Sequence, residues 1–246
     1  MHEWIVEILQ TENLQDAANR IDDMARSGQI GKRDISGWKK RIEKSADLIE
    51  FDKRMLSFGG QYVAGVDEVG RGPLAGPIVA AAVIMDMSKP IVGIDDSKKI
   101  KHDLRTELYK IIRERALSIR IKAVQAPEID KIGIQKANIK VMTEALRDLK
   151  LQPDVLLSDG FHLFVEGHPT TKIIRGDSQS YAIACASITA KVIRDRLMAC
   201  YALKVDDRFG YEHNAGYGTA EHMLMLEKYG PTRFHRKSFL KSIYNG

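Results

Sequence analysis

The chain has 246 residues, 44% of them hydrophobic and 29% charged, which is typical of a globular protein with one large domain or one domain and an extension. It contains no run of about 18 apolar residues and begins without the basic and apolar regions of a signal peptide, so we expect neither a membrane span nor secretion. The two cysteines have no zinc-ligand spacing and are consistent with a reducing compartment, so we expect a cytoplasmic protein.

The net charge of +5 is unevenly distributed along the chain. Residues 1–60 hold 10 Lys/Arg and 11 Asp/Glu, so the basic excess lies entirely in residues 61–246. Residues 228–246 contain five Lys/Arg and no acid. A basic tail on a chain whose candidate site is acidic suggests a polyanionic partner. Charge alone explains a solvated tail equally well.

Residues 1–58 have apolar side chains at helical spacing and predict a small extension of three helices. Asn13 or Thr11 could cap the second helix, and Asp34 could cap the third. The stripes favour packing within the chain over a partner site. Gly59-Gly60 is a natural hinge into the main domain.

The main domain, residues 61–246, alternates strand and helix patterns, which predicts an α/β fold with a mixed sheet flanked by helices. A brief strand is also expected at 91–94, and Ser97 is the candidate cap of the helix that follows. A helical region precedes the basic C-terminal tail. The principal predicted strands are 61–66, 78–85, 117–125, 154–158 and 171–175, and the later predicted helices are 127–149, 179–203 and 219–229.

Three of these strands end on acidic residues, namely Asp67-Glu68, Asp159 and Asp177. If the strands are neighbours, four carboxylates converge, and they cannot all stay ionised without a cation. Oxygen-only ligands favour Mg²⁺ or Mn²⁺ over zinc. Strand alternation sends Asp67 and Glu68 to opposite faces unless the chain bends there. For that pair alone, a solvated turn is the alternative interpretation.

Directly beyond the first acids, Gly70-Arg71-Gly72 offers open backbone N–H groups and one guanidinium suited to phosphate. Carboxylates that hold divalent cations are a recurrent device for phosphodiester hydrolysis. Neither a nucleophile elbow nor a phosphate-binding GxxxxGK[ST] loop occurs in the sequence. These features together predict a metal-dependent nuclease.

Across roughly residues 60–239 the chain resembles the ribonuclease HII family. The motifs that carry the resemblance are, in order, "DEVGRGPLAGP", "DDSKKI", "LLSDG", "GDSQSYAIACASITAKVIRD", "GYGTAEH" and "GPTRFHRKSF". The resemblance implies an RNase H-like fold and endonucleolytic cleavage of RNA in RNA–DNA hybrids and at single ribonucleotides in duplex DNA. The products would carry a 3′-hydroxyl and a 5′-phosphate. We expect a monomer that removes misincorporated ribonucleotides and RNA primers.

Carried over residue by residue, the resemblance assigns catalytic and metal-binding roles to four acids. It assigns substrate contacts to the glycine-rich loop, to an aromatic residue near the sugar, and to phosphate-binding residues. Tyr211 is the alternative to Tyr217 as the aromatic residue near the sugar, and Lys191 is a weaker phosphate candidate. Asp195 is expected to pair with a nearby arginine, and His222 is a minor candidate neighbour of the site. The acids are Asp67, Glu68, Asp159 and Asp177, and the substrate-binding residues are Gly70, Arg71, Gly72, Lys98, Ser178 and Tyr217.

Three other interpretations remain open. Ribonuclease HIII would carry a β-rich N-terminal domain, whereas residues 1–58 lack strand alternation. Another nuclease or transposase of the RNase H-like superfamily would share the acids but not the need for the glycine-rich loop. A non-catalytic nucleic-acid-binding module would not benefit from acids that repel phosphate. The helical extension is expected to aid substrate binding or stability.

Overall fold

The computed structural model describes residues 2–56, 59–166, 168–204 and 207–244. The helices are α1 (Glu3–Leu9), α2 (Leu14–Arg26), α3 (Lys32–Met55), α4 (His102–Arg115), α5 (Ala126–Ile132), α6 (Ile134–Arg147), α7 (Tyr181–Lys204), α8 (Tyr211–Asn214), α9 (Ala220–Tyr229) and α10 (Lys237–Tyr244). The strands are β1 (Val63–Val69), β2 (Ile78–Met85), β3 (Ala116–Val124), β4 (Val155–Asp159), β5 (Phe164–Val165), β6 (His168–Pro169) and β7 (Thr171–Ile173).

Five strands form one mixed sheet in the order β3-β2-β1-β4-β7, which confirms the predicted α/β class. β2 is antiparallel to β1 and β3, whereas β4 is parallel to β1 and β7. The short strands β5 and β6 pair separately. Within the part of the chain that the structure describes, no helix has both the length and the apolar character needed to cross a bilayer.

Every side chain of β2 is buried because helices cover both faces of the sheet. Alternate residues of this strand enter two cores, one shared with α7 and the N-terminal helices and the other shared with α6. On β1, Gly65 allows α7 to pack directly against the strand, since a Cβ there would lie 2.2 Å from the backbone nitrogen of Ile183. The many small residues of α7 contribute to the same close approach.

The N-terminal helices share a core with the main domain. Buried residues of all three, including Leu9 and Trp38, belong to the same hydrophobic cluster as α7. Asp52 on α3 accepts a 2.8 Å hydrogen bond from the backbone N–H of Ala182 at the start of α7. The helix dipole of α7 favours a carboxylate at this end. α3 is therefore joined to α7 by both packing and a buried polar contact.

Within the extension, one predicted cap is confirmed and another is wrong. The Asn13 side chain caps α2 by accepting a hydrogen bond from the backbone N–H of Asp16. The cap of α3 is Gly31, which leaves Asp34 in the first turn of the helix. Gly59 adopts a left-handed φ of 87°, and residues 57–58, just before the proposed hinge, lie outside the described residues.

The predicted strand at 91–94 and the predicted Ser97 cap are both wrong. Gly93 has a φ of 89°, which interrupts an extended chain, so this apolar segment enters the core as a turn. Helix α4 begins only after Lys101. Ser97 is buried and its hydroxyl lies 2.9 Å from that of Ser187 on α7. The segment between β2 and α4 thus packs as a loop against α7.

Glycine also divides the helix predicted at 127–149 into α5 and α6. Gly133 has a φ of 81°, which a right-handed helix cannot accommodate. The strand predicted at 171–175 ends earlier, at Ile173, and Arg175 takes a left-handed conformation. Asp177 therefore lies in a short 3₁₀ turn, Gly176–Ser178, and not at a strand end.

The basic C-terminal segment is partly internal. α10 occupies residues 237–244 of this segment, and Arg236, one of the five Lys/Arg in residues 228–246, is fully buried. That arginine therefore acts within the protein and is not part of a solvated tail.

Candidate active site

Neighbouring parallel strands bring the predicted acids to one edge of the sheet. Val66 of β1 lies opposite Ser158 of β4. The next residues of these two strands are Asp67 and Asp159, and the charge of Asp159 acts on Asp67. β7 runs parallel to β4 on the other side, and Asp177 follows it by four residues. Three chain segments therefore bring their acids together as predicted, although Asp177 lies on a turn and not at a strand end.

Asp67 is the most deeply buried of these acids, with 6% of its surface exposed. Its Oδ1 accepts a 2.7 Å hydrogen bond from the backbone N–H of Glu68, and Ser187 on α7 favours the charged form of its carboxylate. Burial raises its pKa well above the usual range, and the charges of Glu68 and Asp159 raise it further. A carboxylate in this position gains from a nearby positive charge.

Glu68 follows on the other face of β1, as strand alternation requires. Burial raises its pKa to about 7, the charge of Arg71 opposes that rise, and the charge of Asp159 adds to it. Arg71 Nε lies 3.9 Å from Glu68 Oε1. The second oxygen, Oε2, is buried and has no hydrogen-bond partner. One oxygen of the site therefore remains available to a ligand.

A fifth acid, Asp96, joins the cluster and was missed by the sequence analysis. Asp159 accepts a 2.7 Å hydrogen bond at Oδ1 from the backbone N–H of Gly176, and burial raises its pKa. Burial, followed by the charges of Asp96 and Asp159, raises the pKa of Asp177 to about 6. The sequence signal was the adjacent pair Asp95-Asp96, which repeats the acid-acid pattern of the first motif.

The phosphate candidates occupy the rim of the acid cluster. Lys98 is exposed, and its charge partly offsets the rise in the pKa of Glu68, Asp159 and Asp177. The Ser178 hydroxyl donates a 2.9 Å hydrogen bond to the Arg175 carbonyl. Lys98 is thus the predicted rim residue whose charge reaches the acids.

The donor set suits a hard divalent cation that is shared with a substrate. Among the residues that the structure describes, no three Asp, Glu, His or Cys side chains are arranged to hold one ion by themselves. Mg²⁺ typically uses one or two carboxylates and completes its coordination with water and substrate phosphate. The unpartnered Glu68 Oε2 and the raised pKa values of the acids fit such a cation.

Two fully buried arginines hold the glycine-rich loop from beneath. Arg236 donates hydrogen bonds to the carbonyls of Gly70, Arg71 and Gly76, at distances between 2.6 and 3.0 Å. Arg194 donates to the carbonyls of Pro77, Ala75 and Ala215. Gly70 has a φ of 96°, and a Cβ there would lie 2.2 Å from Arg194 Nε. Burial lowers the pKa of Arg236 to about 9.

The upper surface of this loop carries two exposed groups. The Arg71 guanidinium lies 4.9 Å from the centre of the Phe161 ring, so the phenylalanine in "SDGFH" orients it. Gly72 faces Tyr217, since a Cβ on Gly72 would lie 3.8 Å from Tyr217 Cε1. Tyr217 is 45% exposed, whereas the alternative, Tyr211, is 1% exposed. Tyr217 is therefore the tyrosine that a substrate can reach.

A pair of buried histidines supports Tyr217. The backbone N–H of Thr232 donates to His235 Nδ1 at 2.9 Å, so the proton of His235 lies on Nε2. Nε2 of His235 lies 3.0 Å from Nε2 of His222, and Nδ1 of His222 lies 2.8 Å from the Tyr217 carbonyl oxygen. The chain is complete only with both rings neutral, and burial lowers the pKa of each, that of His235 to about 4. His222 is thus a support of the tyrosine.

Asp195 forms the predicted structural ion pairs. Its carboxylate lies 3.5 Å from Arg105 and 2.7 Å from Lys191. The Arg105 contact joins α4 to α7, and the contact within α7 engages the Lys191 ammonium within the protein.

Comparison with known proteins identifies the fold and the family. The family described as Ribonuclease HII matches residues 64–242. A Ribonuclease HII of Clostridium acetobutylicum is 43% identical over 248 residues, which cover 97% of this chain and 96% of that protein.

Solved structures show the same fold at lower identity. The ribonuclease H2 of Pyrococcus horikoshii has a TM-score of 0.65 and 24% identity, covering 75% of this chain and 98% of that one. A Bst-RNase HIII structure in complex with Mn²⁺ has a TM-score of 0.55 and 16% identity, covering 82% of this chain and 74% of that one. With the family match over most of its length, the chain belongs to the ribonuclease HII family and is a ribonuclease H endonuclease.

Proposed function

We propose that this protein cleaves the RNA strand of RNA–DNA hybrids and cuts duplex DNA on the 5′ side of a single embedded ribonucleotide. The products would be a 3′-hydroxyl and a 5′-phosphate. This activity would remove misincorporated ribonucleotides and RNA primers. The observation that carries the proposal is the convergence of the acids at one edge of the sheet, directly beside the glycine-rich loop and the exposed Tyr217 ring that faces Gly72.

The acids would hold a divalent cation, Mg²⁺ or Mn²⁺, together with the substrate phosphate. The residues proposed for this role are Asp67, Glu68, Asp159 and Asp177. The ribonuclease H family depends on divalent metal, and the Bst-RNase HIII relative contains Mn²⁺. Such a cation supplies an activated water and stabilises charge on the leaving oxygen. The unpartnered Glu68 Oε2 supports this assignment.

The loop residues would select and orient the ribonucleotide. Backbone groups of Gly70, Arg71 and Gly72 can read a 2′-hydroxyl, the atom that distinguishes RNA from DNA. Arg236 and Arg194 fix the loop carbonyls, so the loop is organised before substrate arrives. The Tyr217 ring would pack against the sugar beside the cut, and Lys98 and Ser178 would contact phosphate. All these groups come from one chain, so we expect a monomer to be sufficient.

The test is cleavage of a labelled DNA duplex that contains one ribonucleotide, assayed with Mg²⁺, with Mn²⁺ and with chelator. An all-DNA duplex of the same sequence is the matched control. We expect metal-dependent cutting at the 5′ side of the ribonucleotide and no cutting of the control. Cutting of both duplexes would instead indicate a general nuclease of the same superfamily. Binding of both duplexes without cutting would indicate a non-catalytic module.

A further inference from the structure

The N-terminal extension carries a local concentration of positive charge on α3. Residues 32–44 contain six Lys/Arg and two acids, although residues 1–60 as a whole carry one more acid than base. Arg33, Gly37, Arg41 and Lys44 recur at intervals of three or four residues, which places them along one helix face, and Lys40 adjoins this face. The average charge of the extension therefore conceals a basic stripe.

This stripe lines a groove between α3 and the loop that leads into α4. Two cavities of about 560 and 320 Å³ adjoin here, and they share Gly37, Arg41 and Lys99. Lys101 also lines the larger cavity, and Lys40 and Lys44 line the smaller one. We call this the α3 groove, defined by Arg33, Gly37, Lys40, Arg41, Lys44, Lys99 and Lys101.

Two cations of the α3 groove, Lys40 and Arg41, are available to an external anion, whereas Lys99 lies 3.7 Å from Asp95 and Lys44 donates to the Ser178 carbonyl. In the described chain, neither Lys40 nor Arg41 forms an ion pair with an acid, and Arg41 is held over the Trp38 ring at 5.5 Å. By contrast, Lys39 on the neighbouring face pairs with Asp22 at 2.7 Å. Positive charges without protein partners beside an organised aromatic ring are typical of nucleic-acid-binding surfaces.

Gly37 keeps the middle of the groove open. A glycine inside a helix is less favourable than alanine, because more backbone freedom is lost on folding. No atom lies within 4 Å of the position that a Cβ would take on Gly37, so internal packing does not require the glycine. An absent side chain at this point leaves room for a ligand to approach the helix.

The groove is continuous with the active site. Lys44 Nζ donates a 2.7 Å hydrogen bond to the carbonyl of Ser178, the residue after Asp177. On the other wall, Lys99 follows Lys98, whose charge acts on the catalytic acids. The contact between Asp52 and α7 fixes α3 in this position. A duplex seated at the acids would therefore meet the groove on one side.

We propose that the α3 groove binds the sugar–phosphate backbone of the duplex substrate on one side of the cut, an inference that rests on the proposed function. From Lys44 back to Arg33 the helix spans about 16 Å at 1.5 Å per residue. At about 3.4 Å per nucleotide, this length corresponds to roughly five nucleotides. The contacts are to phosphate and are independent of the 2′-hydroxyl and of sequence.

The test compares the double variant Lys40→Ala/Arg41→Ala with the wild-type protein. The control is Lys131→Ala/Lys136→Ala, which removes two exposed charges from α5 and α6, where α6 covers the opposite face of the sheet. Fluorescence anisotropy measures binding to an all-DNA duplex across a range of salt concentrations. Cleavage kinetics are measured in parallel on the duplex with one ribonucleotide. Lys40→Glu provides a second variant that changes the charge by the same two units at a single position.

We expect the groove variant to weaken binding on the order of tenfold and to reduce the slope of log K against log salt by about 2, because two phosphate contacts are lost. KM should rise in proportion while kcat is unchanged. The control variant should change neither the affinity nor the salt slope beyond twofold. Equal losses in the two double variants, or unchanged binding in the groove variant and in Lys40→Glu, would overturn the proposal.

A second experiment varies the length of the duplex on either side of the ribonucleotide. Shortening the duplex to about four base pairs on the groove side of the ribonucleotide should abolish the difference between variant and wild type, whereas shortening the other side should preserve it. A difference that persists on both shortened duplexes would overturn the groove assignment. Absence of wild-type cleavage would refute the proposed function, whereas the all-DNA binding data would still decide whether the groove binds a duplex backbone.

Discussion

The acid cluster adjoins the buried arginines and histidines beneath the glycine-rich loop, but the two regions differ in how their buried ionisable groups are satisfied. At the acid cluster, neighbouring carboxylates raise one another's pKa and Glu68 retains an unpartnered oxygen. Beneath the loop, Arg194 and Arg236 are fully buried, and each donates hydrogen bonds to three backbone carbonyls. His222 and His235 complete a chain of hydrogen bonds in their neutral forms.

This difference distinguishes the acids proposed to act in catalysis from the arginines and histidines that hold the structure around them. The acid cluster stores unfavourable electrostatic energy that a cation can relieve, so its side chains are expected to cost stability in the absence of metal. The buried arginines donate hydrogen bonds to carbonyls that would otherwise lack donors, so they are expected to stabilise the protein with or without metal. Substitutions should therefore affect the two regions in opposite directions.

The largest expected effect is the loss of the loop framework in Arg236→Met. Methionine fills much of the volume but leaves the carbonyls of Gly70, Arg71 and Gly76 without this donor. We expect the free energy of unfolding to fall by about 3–5 kcal/mol, measured by urea denaturation. Lys237→Met on the adjacent residue is the control and should change the unfolding free energy by less than about 0.5 kcal/mol. An Arg236→Met protein as stable as wild type would remove the framework role.

The next effect is the opposite response of the acid cluster to Asp67→Asn. Asparagine can still accept the hydrogen bond from the Glu68 N–H, but it removes a charge from a repulsive cluster. We expect kcat to fall by about 100-fold or more while the unfolding temperature at pH 8 and without metal rises. A variant with near-wild-type cleavage would exclude Asp67 from the mechanism, and one that is less stable would contradict the stored repulsion.

Arg71→Ala should have a smaller effect that is confined to substrate handling. The side chain is 44% exposed and packs on Phe161, so its loss should hardly change the unfolding temperature. Loss of a charge-assisted phosphate contact should reduce kcat/KM by a factor equivalent to about 1.5–3 kcal/mol. Unchanged kinetics on the single-ribonucleotide duplex would rule out this contact.

The smallest effect is a pH dependence of stability that has opposite signs in the two regions. The pKa of Glu68 rises from 4.5 to about 7 on folding, so the folded state binds more protons in that interval. Its contribution to stability therefore falls as pH rises from about 4.5 to 7. The pKa of His235 falls from 6.5 to about 4 on folding, so the unfolded state binds more protons. Stability from this histidine falls as pH drops from 6.5 to 4.

Two variants separate these contributions without metal. In Glu68→Gln the acid contribution is absent, so we expect stability to fall more steeply than in wild type below pH 6.5. In His235→Gln the histidine contribution is absent, so stability should rise as pH drops from 7 to 5. We expect each difference in slope to amount to about 1–2 kcal/mol across the window, measured by urea denaturation at half-unit pH steps. Parallel curves for the two variants would contradict the contrast.

The sequence predicted the site wherever strand order and local pattern determine position. Asp67 within β1 and Asp159 at the end of β4 follow the alternation of buried strands, and both lie at the predicted edge. It also predicted α7, whose small residues and Gly65 allow close packing. The ion pairs of Asp195 were anticipated because a charged residue on a partly buried helix needs a partner.

The remaining features depend on tertiary contacts that strand patterns and charge counts do not record. Asp96 joins the site through a loop that lacks regular structure, so strand-end reasoning could not find it. Asp177 reaches the cluster on a 3₁₀ turn after a left-handed Arg175, a conformation uncommon outside glycine. Arg236 was grouped with a basic tail because charge counting cannot distinguish a solvated guanidinium from one that binds buried carbonyls.

The most direct test of the account is the unfolding temperature at pH 8 with Mg²⁺ and with chelator, for wild type, Asp67→Asn and His235→Gln. Ligands that bind only the folded state raise its stability by mass action. We predict that Mg²⁺ raises the unfolding temperature of wild type and of His235→Gln by similar amounts and leaves that of Asp67→Asn nearly unchanged. An equal rise in all three proteins would contradict the claim that the strand-edge acids are the charge that a divalent cation relieves.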